Sequence, residues 1–492
     1  MKIIIIGAGI GGLATANLLA QDGHDVHVLE KNSQLGGRAG QFKKDGFIFD
    51  TGPSWYLMPD VFDRYFRKLG TSSSKQLDLI KLSPAYKVYT GSESVTITGD
   101  LAKDEKTFER IEPGAGATLR SYIKRSTTTY RLALDHFLYE NFENLKPFTR
   151  KPVLKNSPTM LRLMQLSLHD YTKKYFKSPR LQQILEYPSV FLGSSPYTVP
   201  ALYSLMSSLD FEEGVYYPKG TMYAVVESLV SIGKAHGVTY HLTTNVSQIS
   251  VVDGRARGVV LSNKEEIHAD IVISNADLHF TETRLLEAPH QSYPESYWQK
   301  REASPSALLM YLGIKGALPE FEHHTLLFTE NWHTNFDAIF NKKELPNPAS
   351  LYISKTSQSD ATAPKGHENI FVLVPLPAGK NISSEELVTL ADTYLEQIHV
   401  TTGVDLKSRT VSRTLFGPND FDEKFNAWQS TMLGPSHKLS QSAFFRTPNT
   451  SKRVKNLFYV GAGTVPGVGV PMCLISAELV QKRVATYTKR NI

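Results

Sequence analysis

The amino-acid sequence predicts an α/β fold that begins with a dinucleotide-binding unit, and three features near the N-terminus predict it. Residues 3–6 are four consecutive isoleucines, a run typical of a strand buried on both faces. Gly7, Gly9 and Gly12 follow at once in a G-x-G-x-x-G pattern, ahead of a helix with one apolar face. A second short strand ends at Glu30, 18 positions after Gly12. This order is typical of a Rossmann-like βαβ unit.

Each residue of this unit has a physical task in holding a dinucleotide. Gly7 permits the tight turn, Gly9 lets the backbone approach a pyrophosphate, and Gly12 lets the helix pack closely on the strand. The helix N-terminus offers free N–H groups to the phosphates. Glu30 is suited to a ribose, and we include Lys31 beside it in the predicted cofactor site. By itself this unit is compatible with NAD, with FAD, or with a glycine turn that binds nothing.

The composition of the chain limits which classes of protein it can represent. With 492 residues, 41% apolar and 21% charged, the chain is long enough for two or three globular domains. No apolar run approaches the roughly 18 to 20 residues of a membrane-spanning helix, and we expect no signal peptide. The single cysteine excludes an internal disulfide and indicates a reducing compartment. A net charge of +6 is too small to predict nucleic-acid binding.

Two motifs after the βαβ unit favour a flavin dinucleotide. A plain NAD dehydrogenase does not need the segment Gly36-Gly37-Arg38 so soon after the ribose acid. The longer FAD of a glutathione-reductase-type flavoprotein needs more chain around its pyrophosphate and ribityl side, and Arg38 suits that task because its guanidinium is permanently charged. Gly52-Pro53-Ser54 is predicted to belong to the same site. A glycine turn with a solvated arginine is the alternative.

A third glycine segment near the C-terminus is predicted to hold the flavin. A strand opens through glycines into a helix that is predicted over residues 472 to about 487. The positive end of such a helix suits the negative charge that a reduced flavin carries around N1 and C2=O. The predicted site residues of this segment are Gly461, Gly463, Gly469, Val470 and Pro471.

The middle of the chain is expected to leave the dinucleotide domain and return to it. Residues 71–75 are predicted to be a linker, and strand patterns return with an Asp253-Gly254 hairpin turn and a buried strand over residues 271–275. The backbone of Val246 is predicted to hydrogen-bond an adenine. Four histidines lack metal-ligand spacing, so we predict surface or hydrogen-bonding roles for them and no metal site. They are His323, His324, His333 and His367.

A basic helical region over about residues 150–180 combines apolar bulk with cations, and Asp170 is its only acid. An interfacial helix needs this composition because its apolar side chains enter lipid while its charges meet anionic head groups. The alternative is an amphipathic helix that packs on the core with a solvated basic face. Its cations are Arg150, Lys151, Lys155, Arg162, Lys173, Lys174, Lys177 and Arg180.

Two stretches are candidates for the wall of an apolar substrate site. Residues 191–214 carry no charge before Asp210, although core packing explains this equally well. Residues 415–445 are predicted to be irregular and rich in aromatic side chains suited to an apolar channel. These are Phe421, Phe425, Trp428, Phe444 and Phe445.

Taken together, the motifs resemble the bacterial-type FAD-dependent carotenoid desaturases, the phytoene and diapophytoene desaturase family. The family often has a second glycine where this chain has Thr221, and often a histidine where this chain has Val465. No catalytic role is therefore assumed for Val465. The matching segments span nearly the whole chain and are residues 7–12, 35–39, 49–54, 200–204, 214–220, 274–277, 366–369 and 460–469.

The resemblance implies a discontinuous FAD-binding domain of the glutathione-reductase/amine-oxidase type, residues 1–75, 215–290 and 450–492. It implies a mixed α+β substrate domain, residues 76–214 and 291–449, with a helical membrane-facing part. The implied substrate is a membrane-dissolved carotenoid precursor, 15-cis-phytoene or its C30 counterpart. A cytoplasmic enzyme attached peripherally to the cell membrane is expected. Oxygen or a membrane quinone is the expected electron acceptor, because no second dinucleotide motif for NAD(P)H is visible.

Desaturation removes a hydride and a proton from adjacent allylic carbons, and a flavin accepts the hydride. The sequence shows no convincing base, so no catalytic residue is predicted. A carotenoid isomerase, ketolase or diapophytoene desaturase of the same fold is an alternative. A soluble amine oxidase would need an aromatic cage beside the flavin. A non-catalytic prenyl-lipid carrier is the alternative from a different functional class.

Overall fold

A computed structural model describes residues 1–142 and 146–491. Its strands are short, and most of them belong to two large sheets. They are β1 (Lys2–Ile6), β2 (Asp25–Leu29), β3 (Gln41–Lys44), β4 (Phe47–Asp50), β5 (Leu79–Lys81), β6 (Tyr86–Thr90), β7 (Glu93–Ile97), β8 (Tyr216–Pro218), β9 (Thr239–His241), β10 (Val246–Val252), β11 (Arg255–Leu261), β12 (Glu266–His268), β13 (Ile271–Ser274), β14 (Ser306–Lys315), β15 (His324–Phe328), β16 (Leu351–Ser354), β17 (His367–Leu376), β18 (Thr410–Phe416) and β19 (Leu457–Tyr459).

The helices range from single turns to long amphipathic elements. They are α1 (Ile10–Gln21), α2 (Pro59–Lys68), α3 (Ser73–Gln76), α4 (Leu101–Ile111), α5 (Ala115–Ala133), α6 (Lys151–Gln165), α7 (Leu168–Thr172), α8 (Pro179–Glu186), α9 (Pro188–Phe191), α10 (Tyr223–Ala235), α11 (Leu278–Phe280), α12 (Glu295–Trp298), α13 (Trp332–Asp337), α14 (Ser384–Thr402), α15 (Leu406–Arg409), α16 (Pro418–Phe425) and α17 (Val470–Asn491).

The dinucleotide sheet is parallel throughout, with the strand order β19-β13-β1-β2-β9. Its strands come from four distant parts of the chain, and the four isoleucines of β1 lie at its centre, at most 6% exposed. Helix α1 is buried from Ile10 to Ala20 and packs against α10 and α17. The predicted βαβ unit is confirmed, because continuous apolar runs are what a sheet covered on both faces requires.

The second large sheet is mixed, with the strand order β18-β14-β17-β16-β15-β6-β7. Strand β14 pairs antiparallel with β17 along its whole length. One face of this sheet packs on α14, with Tyr394 and Ile398 fully buried. The other face is directed to the interior between the two sheets, where it provides a wall of the site described below.

Three local predictions differ from the structure. The predicted linker 71–75 contains the start of α3, and the C-terminal helix begins at Val470 rather than at 472. The stretch predicted to be irregular contains α16, because Pro418 occupies its first turn and the Asp420 side chain accepts the N–H of Gly417. Proline and an acid at these positions are helix-start signals that were present in the sequence.

The basic region is helical and divides into α6, α7 and the start of α8. Helix α6 buries only Val153 and Leu163, so most of its surface faces solvent. Among the described residues, none of the helices combines the length and the hydropathy needed to cross a bilayer.

Candidate functional site

A cavity of about 590 Å³ runs between the two large sheets. On one side it is lined by the carboxyl ends of the dinucleotide strands, for example Gly7 after β1 and Glu30 after β2. On the other side it is lined by the second sheet, including Leu309, Tyr352 and Leu373. The carboxyl edge of a parallel sheet is where such folds bind their ligands.

Nearly all of the cofactor residues predicted from sequence lie in the cavity wall, although some of them are more than four hundred positions apart in the chain. Only Gly12 and Gly461 lie behind the wall, where they support it. The predicted residues in the wall are Gly7, Gly9, Glu30, Lys31, Gly36, Gly37, Arg38, Gly52, Pro53, Ser54, Val246, Gly463, Gly469, Val470 and Pro471.

Glu30 is held rigidly at one end of this cavity. Its Oε2 accepts the N–H of Ala8 at 2.8 Å, and its Oε1 accepts the backbone and side-chain N–H groups of Asn32, each at 2.9 Å. Each carboxylate oxygen has further acceptor capacity, as a ribose site requires. The Lys31 amine instead donates to the main-chain carbonyl of Glu423 at 2.8 Å, so it secures a neighbouring segment.

The glycine turns pack so tightly that side chains would not fit. A Cβ on Gly12 would lie 2.2 Å from the carbonyl oxygen of Gly7, as expected of a glycine that brings helix and strand together. A Cβ on Gly9 would lie 2.9 Å from Nδ2 of Asn275, and one on Gly461 would lie 2.7 Å from its Oδ1. Asn275 therefore joins the first and last glycine segments. Asn275 was not among the residues predicted for the site, although it directly follows the buried strand β13.

Arg38 is partly buried in the wall and forms no ion pair among the described residues. Its Nη2 donates to the carbonyl of Thr431 at 3.3 Å, and its guanidinium lies 5.7 Å from the ring centroid of Phe425. Burial lowers the pKa of Arg38, and the charge of Asp277 opposes that effect. A desolvated guanidinium with spare donors fits an anionic pyrophosphate.

Arg446, which was not among the residues predicted from the sequence, holds the C-terminal glycine segment in place. Its Nη2 donates to the carbonyl of Ala462 at 2.6 Å and its Nε to the carbonyl of Thr464 at 3.1 Å. Its Nη1 lies 3.2 Å from Nε2 of His437, whose Nδ1 donates to Leu192 at 2.8 Å, so Nε2 is the acceptor. Burial lowers the pKa of Arg446 to about 10. No local sequence pattern predicts these tertiary contacts.

The rest of the cavity is apolar and aromatic. Part of the predicted stretch 191–214 lines it, including Phe191, Leu205 and Leu209. Phe421 and Phe425 line it as predicted, whereas the prediction for three other aromatic residues is wrong. Trp428 packs in a separate core cluster, and Phe444 and Phe445 are 44% and 60% exposed. Further wall residues are Trp55, Tyr187, Phe328, Trp332, Phe336 and Phe340.

A polar chain ends at Ser54 in the wall. Nδ1 of His324 lies 2.6 Å from the hydroxyl of Tyr352, which donates to Oγ of Ser54 at 2.8 Å, so His324 is the donor to Tyr352. The His324 ring stacks on Trp55 with centroids 4.0 Å apart, and burial lowers its pKa well below the ordinary value. Of the two roles predicted for His324, the hydrogen-bonding role is therefore confirmed, and the surface role is wrong because the residue is buried.

These features fit FAD when taken together. The glycine segments leave room for a dinucleotide backbone, Glu30 suits the ribose, and Arg38 suits the pyrophosphate. The N-terminus of α17 is directed into the wall through Val470 and Pro471, where its positive end favours an electron-rich ring system. An extended apolar space adjoins this cradle, which a nucleotide alone does not require.

Comparison with known proteins agrees with this geometry. The model of the family described as flavin containing amine oxidoreductase matches residues 10–485. A carotenoid 3,4-desaturase of Haloarcula japonica is 41% identical over 480 residues, which cover 97% of this chain and 96% of that protein. A zeta-carotene-forming phytoene desaturase of Myxococcus xanthus is 33% identical over 99% of this chain and 94% of its own length. A 4,4'-diapophytoene desaturase of Staphylococcus haemolyticus is 32% identical over 97% of each chain.

Solved structures share the fold at low identity. An oxidoreductase from Methanosarcina mazei superposes with a TM-score of 0.64 at 16% identity, covering 98% of this chain and all of that one. Wild-type putrescine oxidase bound to putrescine superposes with a TM-score of 0.63 at 15% identity over 99% of each chain. The family match and the βαβ dinucleotide unit together show that this chain belongs to the flavin-containing amine oxidoreductases and is an oxidoreductase whose cofactor is FAD.

Proposed function

We propose that this enzyme desaturates a carotenoid precursor taken from a membrane, with 15-cis-phytoene as the first candidate substrate. The observation that carries the proposal is the continuity of the FAD cradle with an apolar, aromatic cavity that suits a long hydrocarbon. Relatives named as desaturases of phytoene, diapophytoene and carotenoids are similar over nearly the full chain. The 41% identity to a carotenoid 3,4-desaturase favours 3,4-desaturation of a more conjugated carotenoid as the second candidate.

The FAD-binding residues are those predicted from sequence, with Asn275 and Arg446 added as supports. Glu30 takes the ribose and Val246 the adenine edge, while Arg38 takes the pyrophosphate. The glycine segments after Gly7, Gly36 and Gly461 admit the cofactor backbone. A domain division into 1–75, 215–290 and 450–492 against the rest is supported by the strands of the dinucleotide sheet, which come from those ranges.

The chain's own part in the reaction is to bind and orient the substrate and to exclude water from it. FAD supplies the two-electron acceptor that takes a hydride from an allylic carbon. The aromatic wall holds the polyene by apolar contact, and its burial excludes water from the reacting carbons. A carotenoid isomerase of the same fold would need the same wall, so product analysis distinguishes the two.

The membrane-docking surface is formed by α6 and the segment around Phe444. Leu154 and Leu161 are each 55% exposed and lie seven positions apart on one face of α6, a face that exposed cations flank. The ring of Phe444 packs on that of Phe148 with centroids 4.5 Å apart, and Phe445 is 60% exposed. Exposed apolar groups with cationic flanks favour an anionic bilayer surface. The flanking cations are Lys151, Lys155 and Arg162.

The position of this surface suits the delivery of a lipid-soluble substrate. The cavity wall extends to Leu138, and the adjacent Phe137 packs on Phe148 with centroids 5.3 Å apart. A carotenoid leaving the bilayer there enters the cavity without crossing water. Reoxidation by oxygen or a membrane quinone belongs to the same proposal, which places the protein peripherally on the cytoplasmic side of the cell membrane.

The decisive test is incubation of the FAD-loaded protein with anionic liposomes that carry phytoene, diapophytoene or lycopene. Chromatography and absorbance spectra are expected to show a product with more conjugated double bonds from one of these substrates. A product of unchanged conjugation but altered geometry would support an isomerase instead. A flavin-free protein that binds carotenoid without converting it would contradict the proposal. Parallel incubations under nitrogen, with and without a quinone, identify the electron acceptor.

A further inference from the structure

A group that accepts the proton released by desaturation is not visible in the sequence, but the structure presents one. Tyr187, at the end of α8, lies in the cavity wall among Trp55, Phe191 and Phe328. Its hydroxyl donates to Oδ2 of Asp210 at 2.5 Å, directly behind the wall. We propose that Tyr187 and Asp210 form the proton acceptor of the desaturation, an inference that rests on the proposed function.

Asp210 is a fully buried carboxylate, and no cation of the described residues forms an ion pair with it. It lies in the turn after residue 208, is 1% exposed, and also accepts the hydroxyl of Tyr86 at 3.3 Å. Burial without an ion pair disfavours the charged form and makes the group ready to take a proton. Burial raises the pKa of Asp210 to about 7, and the charge of Asp104 on α4 adds to the rise while the two tyrosine hydroxyls oppose it. A general base is most effective with a pKa near the working pH.

The neighbouring acids of the same turn serve other contacts. Glu212 is hydrogen-bonded to Thr127 of α5. Glu213 is partly buried, and this desolvation raises its pKa to about 7, with the charges of Asp60 and Glu212 adding to the rise and that of Arg131 opposing it. Neither glutamate lines the cavity.

Four other titratable groups of the cavity wall are poorly suited to accept a proton. Glu30 is bonded to three N–H groups at the predicted adenosine end, and Asp277 accepts the N–H groups of residues 279, 280 and 428. His437 uses both ring nitrogens in hydrogen bonds. Burial raises the pKa of the Cys473 thiol to about 12, so no thiolate is available.

The proposed step balances in atoms and charge. One allylic carbon loses a hydride with its two electrons to the oxidised flavin. The adjacent carbon loses a proton, and the electron pair of that C–H bond becomes the new C=C bond. The proton passes to the oxygen of Tyr187 while the phenol's own proton passes to the Asp210 carboxylate. Tyr187 ends neutral and Asp210 ends as a carboxylic acid, which releases its proton before the next turnover.

The test compares desaturation rates of holoenzyme variants across about pH 5 to pH 9. The wild-type rate is expected to rise with pH and to reach half its maximum near pH 7, where Asp210 ionises. Asp210→Asn and Tyr187→Phe are expected to slow the reaction about 10²- to 10⁴-fold with unchanged flavin content, and Asp210→Asn to abolish the rise. Tyr86→Phe removes a bond that favours the charged form, so the rise is expected to move to higher pH.

Glu213→Gln is the matched control, because it removes a partly buried carboxyl with a similar pKa from the same turn, whereas the hydroxyl of Tyr187 is hydrogen-bonded to Asp210. It should leave the rate and its pH dependence as in the wild type. Full rates with an unchanged rise in both Asp210→Asn and Tyr187→Phe would overturn the proposal. Loss of the rise in Glu213→Gln but not in Asp210→Asn would also overturn the proposal.

An infrared titration separates failure of the acceptor from failure of the proposed function. In an infrared difference titration, the wild-type holoprotein should lose a carboxylic-acid C=O band as pH rises through about 7 that Asp210→Asn lacks, while the band of Glu213, whose pKa is also about 7, is present in both proteins. A wild-type protein that shows the band but converts no carotenoid contradicts the proposed function. A protein that desaturates but shows no such titrating band contradicts the acceptor.

Discussion

The hydroxyl of Thr221 donates a hydrogen bond to Oδ1 of Asp50 over 2.7 Å, at the junction between β4 and the start of α10. Asp50 also accepts the N–H of Met222 at 2.9 Å, and Thr221 accepts the side-chain N–H of Gln41 at 2.8 Å. Thr221 has φ +72°, a left-handed conformation that glycine adopts more easily. The two hydrogen bonds offset that strain, which explains a threonine where the resembled family often has glycine.

Substitutions at Thr221 separate backbone strain from hydrogen bonding. Thr221→Ala keeps the strain and loses both bonds, with an expected cost of about 1.5–3 kcal/mol because one bond goes to a partly buried carboxyl group. Thr221→Gly loses the same bonds but relieves about 1–2 kcal/mol of strain, so it should melt above the alanine variant. Thermal midpoints of the holoprotein check the order. An alanine variant that matches or exceeds the glycine variant would contradict this account.

The contact between Gly12 and Gly7 predicts a specific defect in FAD binding. Gly12→Ala places a methyl group where it would lie 2.2 Å from the Gly7 carbonyl, so α1 must move away from β1. We expect a loss of about 1–3 kcal/mol of stability and a lowered flavin-to-protein ratio. Gly23→Ala is the control, because its Cβ meets nothing within 4 Å although its φ is +87°. Equal flavin content in the two variants would argue against the packing role.

Arg446 is expected to control FAD affinity through the C-terminal glycine segment. Arg446→Lys keeps the charge, but one ammonium group cannot reproduce the forked contacts to Ala462, Thr464 and His437. Loss of charge-assisted bonds worth about 1.5–3 kcal/mol should weaken FAD binding about 10- to 100-fold. Titration of the apoprotein with FAD, followed by flavin fluorescence, measures this. Arg67→Lys, in a side chain 74% exposed, should bind FAD as the wild type does.

The membrane-docking surface predicts a loss of vesicle binding when its leucines are removed. Leu154→Ser combined with Leu161→Ser removes two apolar side chains that would otherwise enter lipid, each worth about 1–2 kcal/mol. Sedimentation with phosphatidylglycerol vesicles should show at least a tenfold weaker association. Val400→Ser, at a side chain 77% exposed on α14, is the control. Unchanged binding of the double variant would place the contact elsewhere.

Asp210 also predicts a pH dependence of stability whose sign follows from its pKa. Burial raises the pKa from 3.8 to about 7 in the folded protein, so the folded state binds more protons than the unfolded state between these values. The free energy of unfolding therefore falls as pH rises from about 4 to 7, by at most about 4 kcal/mol. Asp210→Asn has no carboxyl group at this position and therefore lacks this fall in the free energy of unfolding. Its thermal midpoint relative to the wild type should increase between pH 5 and pH 8, and a constant difference would contradict the assignment.

The sequence predicted the elements whose pattern is local. The isoleucine run, the first glycine turn and the helix after it were read correctly, because a strand buried on both faces and a tight turn each constrain consecutive residues. The prediction that the aromatic stretch after residue 415 lines an apolar channel was only partly correct, because Phe421 lines the cavity while Phe445 faces solvent. Composition indicates that a side chain is apolar but does not determine which surface it faces.

By itself the sequence determined the dinucleotide unit, the flavin and the family, because these depend on short segments with fixed spacing. Only the tertiary structure decided which distant groups meet. Asn275 lies against Gly9 and Gly461, Arg446 secures the last glycine segment, and Asp210 lies behind Tyr187. Each contact joins separate segments of chain, and burial rather than spacing produces its hydrogen bonding and its pKa. Such effects depend on desolvation, which arises only when the two sheets close around the cavity.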